Sequence, residues 1–213
     1  MYLPEHFAER REEELHRLIR EYPLGALVLN GPGGLDANHL PFELSLDEGE
    51  RARLIAHVAR NNPVWRETKD GDEALVIFRA ADAYISPNWY PSKHEFHRQV
   101  PTWNYQVVHV HGKIAIRDDE KFVRGVVARL TRVNEARTGS DKPWKMTDSS
   151  KEYIDQMLSA IVGIEIEIAR MVGKWKLSQN REERDRINAA EEVRKRGGEV
   201  TSAAMLAALS KGT

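Results

Sequence analysis

Residues 83–112 read AYISPNWYPSKHEFHRQVPTWNYQVVHVHG. Strand-like runs bound this stretch. Ala74–Arg79 (ALVIFR) precedes it, with Ala83–Ser86 continuing the sheet, and Gln106–Arg117 (QVVHVHGKIAIR) alternates as a long strand at its end. The residues between are too polar for a plain core and too aromatic for a plain loop. Trp89, Tyr90, Trp103 and Tyr105 offer stacking surface, and Lys93, Arg98, Thr102 and Asn104 offer partners for phosphate and ring heteroatoms. A flat aromatic ligand with an anionic tail fits that mixture.

Working outward, the periodicity predicts further strands at Leu24–Asn30, Leu35–Leu46, Arg53–Ala59 and Val162–Ala169. In VGIEIEIA, Val162, Ile164, Ile166 and Ile168 face one way and Glu165 and Glu167 the other. Turns are expected at Gly31–Gly34 and at Asp47-Glu48-Gly49. Helices are expected at Glu5–Glu21, with Phe7, Leu15, Leu18 and Ile19 as its apolar stripe, at Asp118–Ala136, and at Ser149–Ile161. One or two helical turns follow Pro63. After Lys174–Asn180 the composition shifts to a charge-rich helix, Arg181–Arg196, a Gly-Gly break and a short Ala/Leu helix at Thr201–Leu209. Antiparallel hairpins interrupted by helices indicate a small barrel with helical appendages. Strands and helices do not alternate regularly, which argues against a doubly wound parallel sheet, and no GxGxxG or GxxxxGK[S/T] loop is present.

The 213 residues have no cysteine, so neither disulfides nor thiolate metal sites enter the fold. The net charge of −1 supplies no global footprint for nucleic acid. No apolar run reaches the roughly 18 residues of a membrane span, and no signal-peptide pattern opens the chain. A cytoplasmic protein without membrane attachment is expected.

Five clusters could carry chemistry, and each has a plain structural reading beside it. His39, in Asn38–Phe42, faces a ligand at a barrel rim or makes one structural hydrogen bond. Arg60-Asn61-Asn62-Pro63 either cradles a phosphate at a helix start or caps that helix. Trp65 reads as core. Val100–Tyr105 alternates polar and aromatic residues, which leaves Thr102 and Asn104 on one face in need of partners. His109 and His111 share a strand face, but with no accompanying zinc-enzyme spacing, no metal site is expected. Lys174–Arg181 (KWKLSQNR) is either a strand exit with a cap or a place where Lys174 or Lys176 meets an anion and Gln179 a ligand. No GxSxG elbow or other hydrolytic arrangement occurs, and no catalytic residue is assigned.

Taken in order, YLPEHF at 2–7, HLPF at 39–42, NNPVW at 61–65, AYISPNWY at 83–90, VPTWNYQVVHVHG at 100–112 and KLSQNR at 176–181 resemble the PaiB family. That family is described as FMN-binding negative transcriptional regulators. The resemblance implies an α+β, mainly β fold, the antiparallel FMN-binding split β-barrel with flanking helices. It implies a barrel domain over residues 1–180, with 181–213 as a C-terminal helical extension. A cytoplasmic homodimer with FMN at the subunit interface follows, with DNA or a regulatory protein as further partner. The flavin phosphate is carried over to Arg60, Asn61, Lys93 and Thr102, and the ring to His39, Trp89, Trp103 and Asn104. Residues 91–99, PSKHEFHRQ, depart from the family pattern as a polar insertion and read as a flap. The alternative function is a flavin-dependent oxidoreductase, or a flavin- or haem-handling enzyme, of the pyridoxamine-phosphate-oxidase-like class, with His39, His109 or His111 as proton donors.

Overall fold

The computed structural model describes residues 1–46 and 51–209. In chain order the elements are β1 (Ala8–Glu9), α1 (Glu12–Glu21), β2 (Leu24–Gly31), β3 (Gly34–Pro41), β4 (Glu43–Ser45), β5 (Arg53–Ala59), α2 (Val64–Glu67), β6 (Glu73–Ile85), α3 (Pro91–Phe96), β7 (Thr102–Arg117), α4 (Glu120–Ala136), α5 (Lys151–Ser159), β8 (Ile161–Lys176), α6 (Glu183–Lys195) and α7 (Glu199–Ala207). Eight strands form an antiparallel sheet in the order β3-β2-β6-β7-β8-β5-β4, with β1 paired to β8. The mainly β, antiparallel class with flanking helices is the one expected. The turn expected at Asp47-Glu48-Gly49 lies outside the described residues.

The chain forms two compact units. One holds residues 19–78 and 109–171, and the other holds residues 1–18, 79–108 and the chain from 172 onward. The three longest strands, β6, β7 and β8, give one part of their length to each unit.

In the first unit, β2 and β3 pair from Leu24↔Pro41 to Gly31↔Gly34, where Gly34 takes a left-handed φ of 99° that closes the hairpin. β5 pairs with β8 from Arg53↔Glu167 to Ala59↔Ile161. Both faces of β5 are covered, since Leu54, Ala56 and Val58 are buried, and so is Ile55, which packs with Val126 and Leu130 of α4. That double coverage explains Glu165. Its alternation with the isoleucines holds, yet it is buried, and it meets Arg117 at 2.7 Å and Arg53 at 3.5 Å. A Cβ at Gly112 would lie 2.2 Å from the Glu167 carbonyl oxygen, so only glycine permits this close approach of backbones. α4 begins two residues later than expected because the Asp119 side chain accepts from Phe122 N at 2.8 Å and caps the helix.

In the second unit, the expected Glu5–Glu21 helix is broken. β1 leaves it to pair with β8 (Ala8↔Lys174, Glu9↔Gly173), and the Glu9 carboxylate accepts from Arg11 N just before α1. The stretch read as a flap is instead a short helix, α3, with Pro91 at its first position and His97 in the left-handed region (φ 52°) at its end. It is fastened to α6. The fully buried Asp185 accepts from Ser92 N (3.0 Å) and Ser92 Oγ (2.5 Å), Gln99 donates to the same hydroxyl, and Arg184 grips Glu95 with two bonds of 2.5 and 2.7 Å.

Candidate functional site

The start of β7 lies against the end of β8 in the second unit. Thr102 Oγ1 and the Trp103 carbonyl both accept from Lys176 Nζ, the second at 2.6 Å. Trp103 is 54% exposed and meets the half-exposed Tyr84 ring edge-on at 5.8 Å. One residue on, Asn104 turns inward and is fully buried. Its amide nitrogen donates to Ser178 Oγ at 3.0 Å, and the same hydroxyl lies 3.2 Å from the Tyr90 hydroxyl. The alternation of β7 thus sends Trp103 out and Asn104 in. Asn104, expected to meet the ring of a ligand, serves here to anchor the turn after β8.

That turn is unusual. Ser178 has φ 66°, a conformation a serine rarely takes, and it is held there by Asn104, by Tyr90 and by Gln179, whose side chain accepts from Leu177 N and donates to the Trp175 carbonyl. The strain places Arg181 over the Tyr90 ring at 5.6 Å. Lys174, two residues before Lys176 on the same strand face, is buried, donates to the Tyr2 carbonyl at 3.0 Å, and sits 5.7 Å from the Tyr105 ring centre. Lys176 is pushed below the ordinary lysine value, first by burial and then by Lys174 and Arg181.

The remaining expected residues of this unit are engaged elsewhere. Trp89 lies under the Arg196 guanidinium at 4.6 Å, and its carbonyl accepts from Asn188. Lys93 donates to Asn88 at 3.0 Å. Thr102 and Trp103 are therefore brought together with Lys176, whereas Trp89 and Lys93 face α6 and their own loop. Lys176 was legible only as one of two lysines in KWKLSQNR, because nothing in the sequence pairs it with Thr102.

His39, Arg60 and Asn61 belong to the other unit. His39 and Asn61 are exposed. Arg60 is committed to the architecture, since it donates to both oxygens of Asp118 (2.9 and 2.5 Å) and to the carbonyls of Ser159 and Ile161. The Asp118 carboxyl is accordingly held below the usual range. Asn62 accepts from Val64 N at 3.0 Å in a local turn just before α2, and its amide donates to Asn38 at 2.7 Å. Trp65 donates to the Arg60 carbonyl and stacks with Arg66 at 4.6 Å. His57 is lowered by burial, and its Nδ1 is buried with no hydrogen-bond partner. Among the described residues no group of three His, Cys, Asp or Glu gathers as a metal site, and no helix is long and apolar enough to cross a membrane.

Comparison with known proteins shows what this arrangement is similar to. Residues 1–170 match the family described as "Putative FMN-binding domain". "Protease synthase and sporulation protein PAI 2" of Bacillus subtilis is 31% identical over 193 residues, covering 91% of this chain and 89% of that protein. Among solved structures, the FAD and heme binding protein from Mycobacterium smegmatis superposes with a TM-score of 0.56 at 19% identity, covering 79% of this chain and 73% of that one. The flavocytochrome Anf3 from Azotobacter vinelandii gives 0.53 at 15% identity, covering 84% and 74%.

Proposed function

The chain belongs to the FMN-binding domain family, and from that premise we propose that it is an FMN-dependent regulatory protein whose flavin ring rests on Trp103. The carrying observation is that Trp103, a large indole in a well-packed strand, is more than half exposed beside Tyr84, with a hydroxyl and an ammonium directly adjacent. A planar, phosphorylated group suits that donor set. Thr102 and Trp103 would hold it, with Tyr84 as the second aromatic wall. The hydroxyl hydrogen of Thr102 remains available as a donor, because its oxygen accepts from Lys176. When bound, the flavin supplies hydride or single-electron transfer. The chain's own part is to orient the ring and keep one face of it out of water.

The likeness to PAI 2 over nine-tenths of the chain supports a regulatory role. Cytoplasmic location and a homodimer with flavin at the subunit interface belong to the same reading. A net charge of −1 favours regulation through a protein or metabolite over direct DNA contact. A second reading, a flavin- and haem-handling oxidoreductase, draws on the fold shared with the Mycobacterium and Azotobacter proteins and on His109 and His111, two imidazoles on one strand face.

Visible spectra of the purified protein titrated with FMN test the core of the reading. Saturable binding is expected in wild type and should weaken by about tenfold or more in Trp103→Ala with the unfolding temperature kept. Equal affinity in the two proteins would place the flavin elsewhere. NAD(P)H oxidation by the FMN-loaded protein, or a Soret band on adding hemin, would favour the second reading, and gel shifts over a salt series would decide direct DNA binding.

A further inference from the structure

Lys174, Lys176 and Arg181 contrast with the cations that hold the architecture together. Arg60, Arg117 and Arg184 each meet a carboxylate. These three meet none among the described residues; what they touch is neutral. Lys174 has the Tyr2 carbonyl and the faces of Tyr2 and Tyr105, Lys176 has Thr102, the Trp103 carbonyl and the Phe7 face at 6.0 Å, and Arg181 has the Tyr90 face. Carboxylates close in sequence are already occupied, Glu182 by Arg184 and Glu9 by Arg11.

Lys174 is only 8% exposed. A buried ammonium that gains no opposite charge loses hydration, which one carbonyl and two ring faces replace only in part. At Lys176 the neighbouring Lys174 and Arg181 add repulsion. A fold held together by these residues alone would gain by replacing one of them with a neutral side chain. A dianion seated among them removes the repulsion and supplies charged acceptors to all three. The strained Ser178 turn sharpens the point. Asn104, Tyr90 and Gln179 together hold it, and what it delivers is Arg181 to the same end of β8 as the lysines.

We infer that Lys174, Lys176 and Arg181 form an anion-binding site for a phosphate-class dianion, at the end of β8 beside Trp103. These residues lie beyond residues 1–170, the part that matches the FMN-binding domain, and Lys176 and Arg181 bound the KLSQNR run. Two sources have this chemistry, the phosphate of FMN itself and a separate phosphorylated ligand. The first rests on the FMN reading above, whereas the second stands without it.

The experiment compares wild type with Lys176→Gln and Arg181→Gln. Affinities for FMN and for riboflavin are taken from flavin fluorescence, and unfolding temperatures with inorganic phosphate or with chloride at equal ionic strength. If the source is FMN, wild type prefers FMN to riboflavin by about tenfold or more, each variant loses that preference while keeping its riboflavin affinity, and inorganic phosphate competes with FMN. If the source is a separate ligand, the two flavins bind alike, or neither binds, and phosphate still raises the unfolding temperature of wild type but not of the variants. Absence of flavin binding with the phosphate effect intact would thus sink the FMN reading alone. A wild type indifferent to phosphate and without preference between the flavins would overturn the anion site, and so would variants that match wild type in every arm. Should a variant fail to fold, the phosphate and flavin arms on wild type still decide.

Discussion

Arg60 and Lys176 each stand at the end of a long strand pairing beside a turn, and the two regions use their positive charge differently. Around Arg60 the guanidinium makes four hydrogen bonds, to Asp118 and two carbonyls, and in the same unit Glu165 gathers Arg53 and Arg117. Around Lys176 there are three cations, four aromatic rings and no carboxylate partner among the described residues. A cation whose charge is answered by a carboxylate of the protein is part of the architecture. One whose partners are all neutral, as those of Lys176 are, keeps its charge open to an anion. Both regions looked equally suited to a phosphate as sequence, and only the partners separate them.

Substitutions can break that contrast, and the largest effect is expected at Glu165. Glu165→Gln leaves Arg53 and Arg117 without their shared carboxylate in a mostly buried setting and should cost about 3 kcal/mol of stability by denaturant titration. FMN affinity should not change. A loss of flavin binding without a loss of stability would show that the construction region is also receptive.

Trp103→Ala should lower FMN affinity by about tenfold or more, about 1.4 kcal/mol, through lost stacking, with little change in unfolding temperature because the indole is exposed. Isothermal titration beside a thermal melt checks both halves. A large drop in stability with FMN binding intact would mean that the indole serves packing.

A smaller effect is expected for Arg60→Gln. The side chain is solvent-facing enough that its ion pair with Asp118 is screened, so a modest fall in unfolding temperature is expected, with the FMN-to-riboflavin preference as in wild type. Loss of that preference would move the phosphate to Arg60 and contradict the contrast drawn here.

The smallest effect concerns acid. His57, His109 and His111 all lie below the ordinary histidine value, with burial the leading cause in each. A depressed folded-state value means the unfolded chain binds protons first. The stability these neutral imidazoles preserve is therefore complete above about pH 6.5 and falls as pH drops from there through their lower folded values. His57→Gln should flatten part of that slope between about pH 5 and 7, as read from melts across the range. An unchanged slope would show that His57 is solvated when charged.

Much of the fold was legible in particular runs. Arg53–Ala59 carries enough branched apolar residues to mark a strand, and it is one over that same range. VGIEIEIA announced β8, yet that strand continues seven residues further, to Lys176, because β1 pairs with its far end, and no local pattern reports partners 164 and 166 residues away in sequence. The α3 helix was invisible for a related reason. PSKHEF has no apolar period of its own, and it is a helix because Asp185 and Arg184 of α6 hold it. At the candidate site the alternation of VPTWNY correctly raised the question of what Thr102 and Asn104 pair with. It could not say that Asn104 would meet Ser178 and Thr102 would meet Lys176, since both partners come from the far end of the chain.

Hydrogen exchange with and without FMN tests the central contrast directly. The account predicts that FMN slows exchange in peptides covering Thr102–Tyr105 and Lys174–Arg181. Slowing limited to peptides around His39 and Arg60–Asn62, with no change at Trp103 or Lys176, would contradict it.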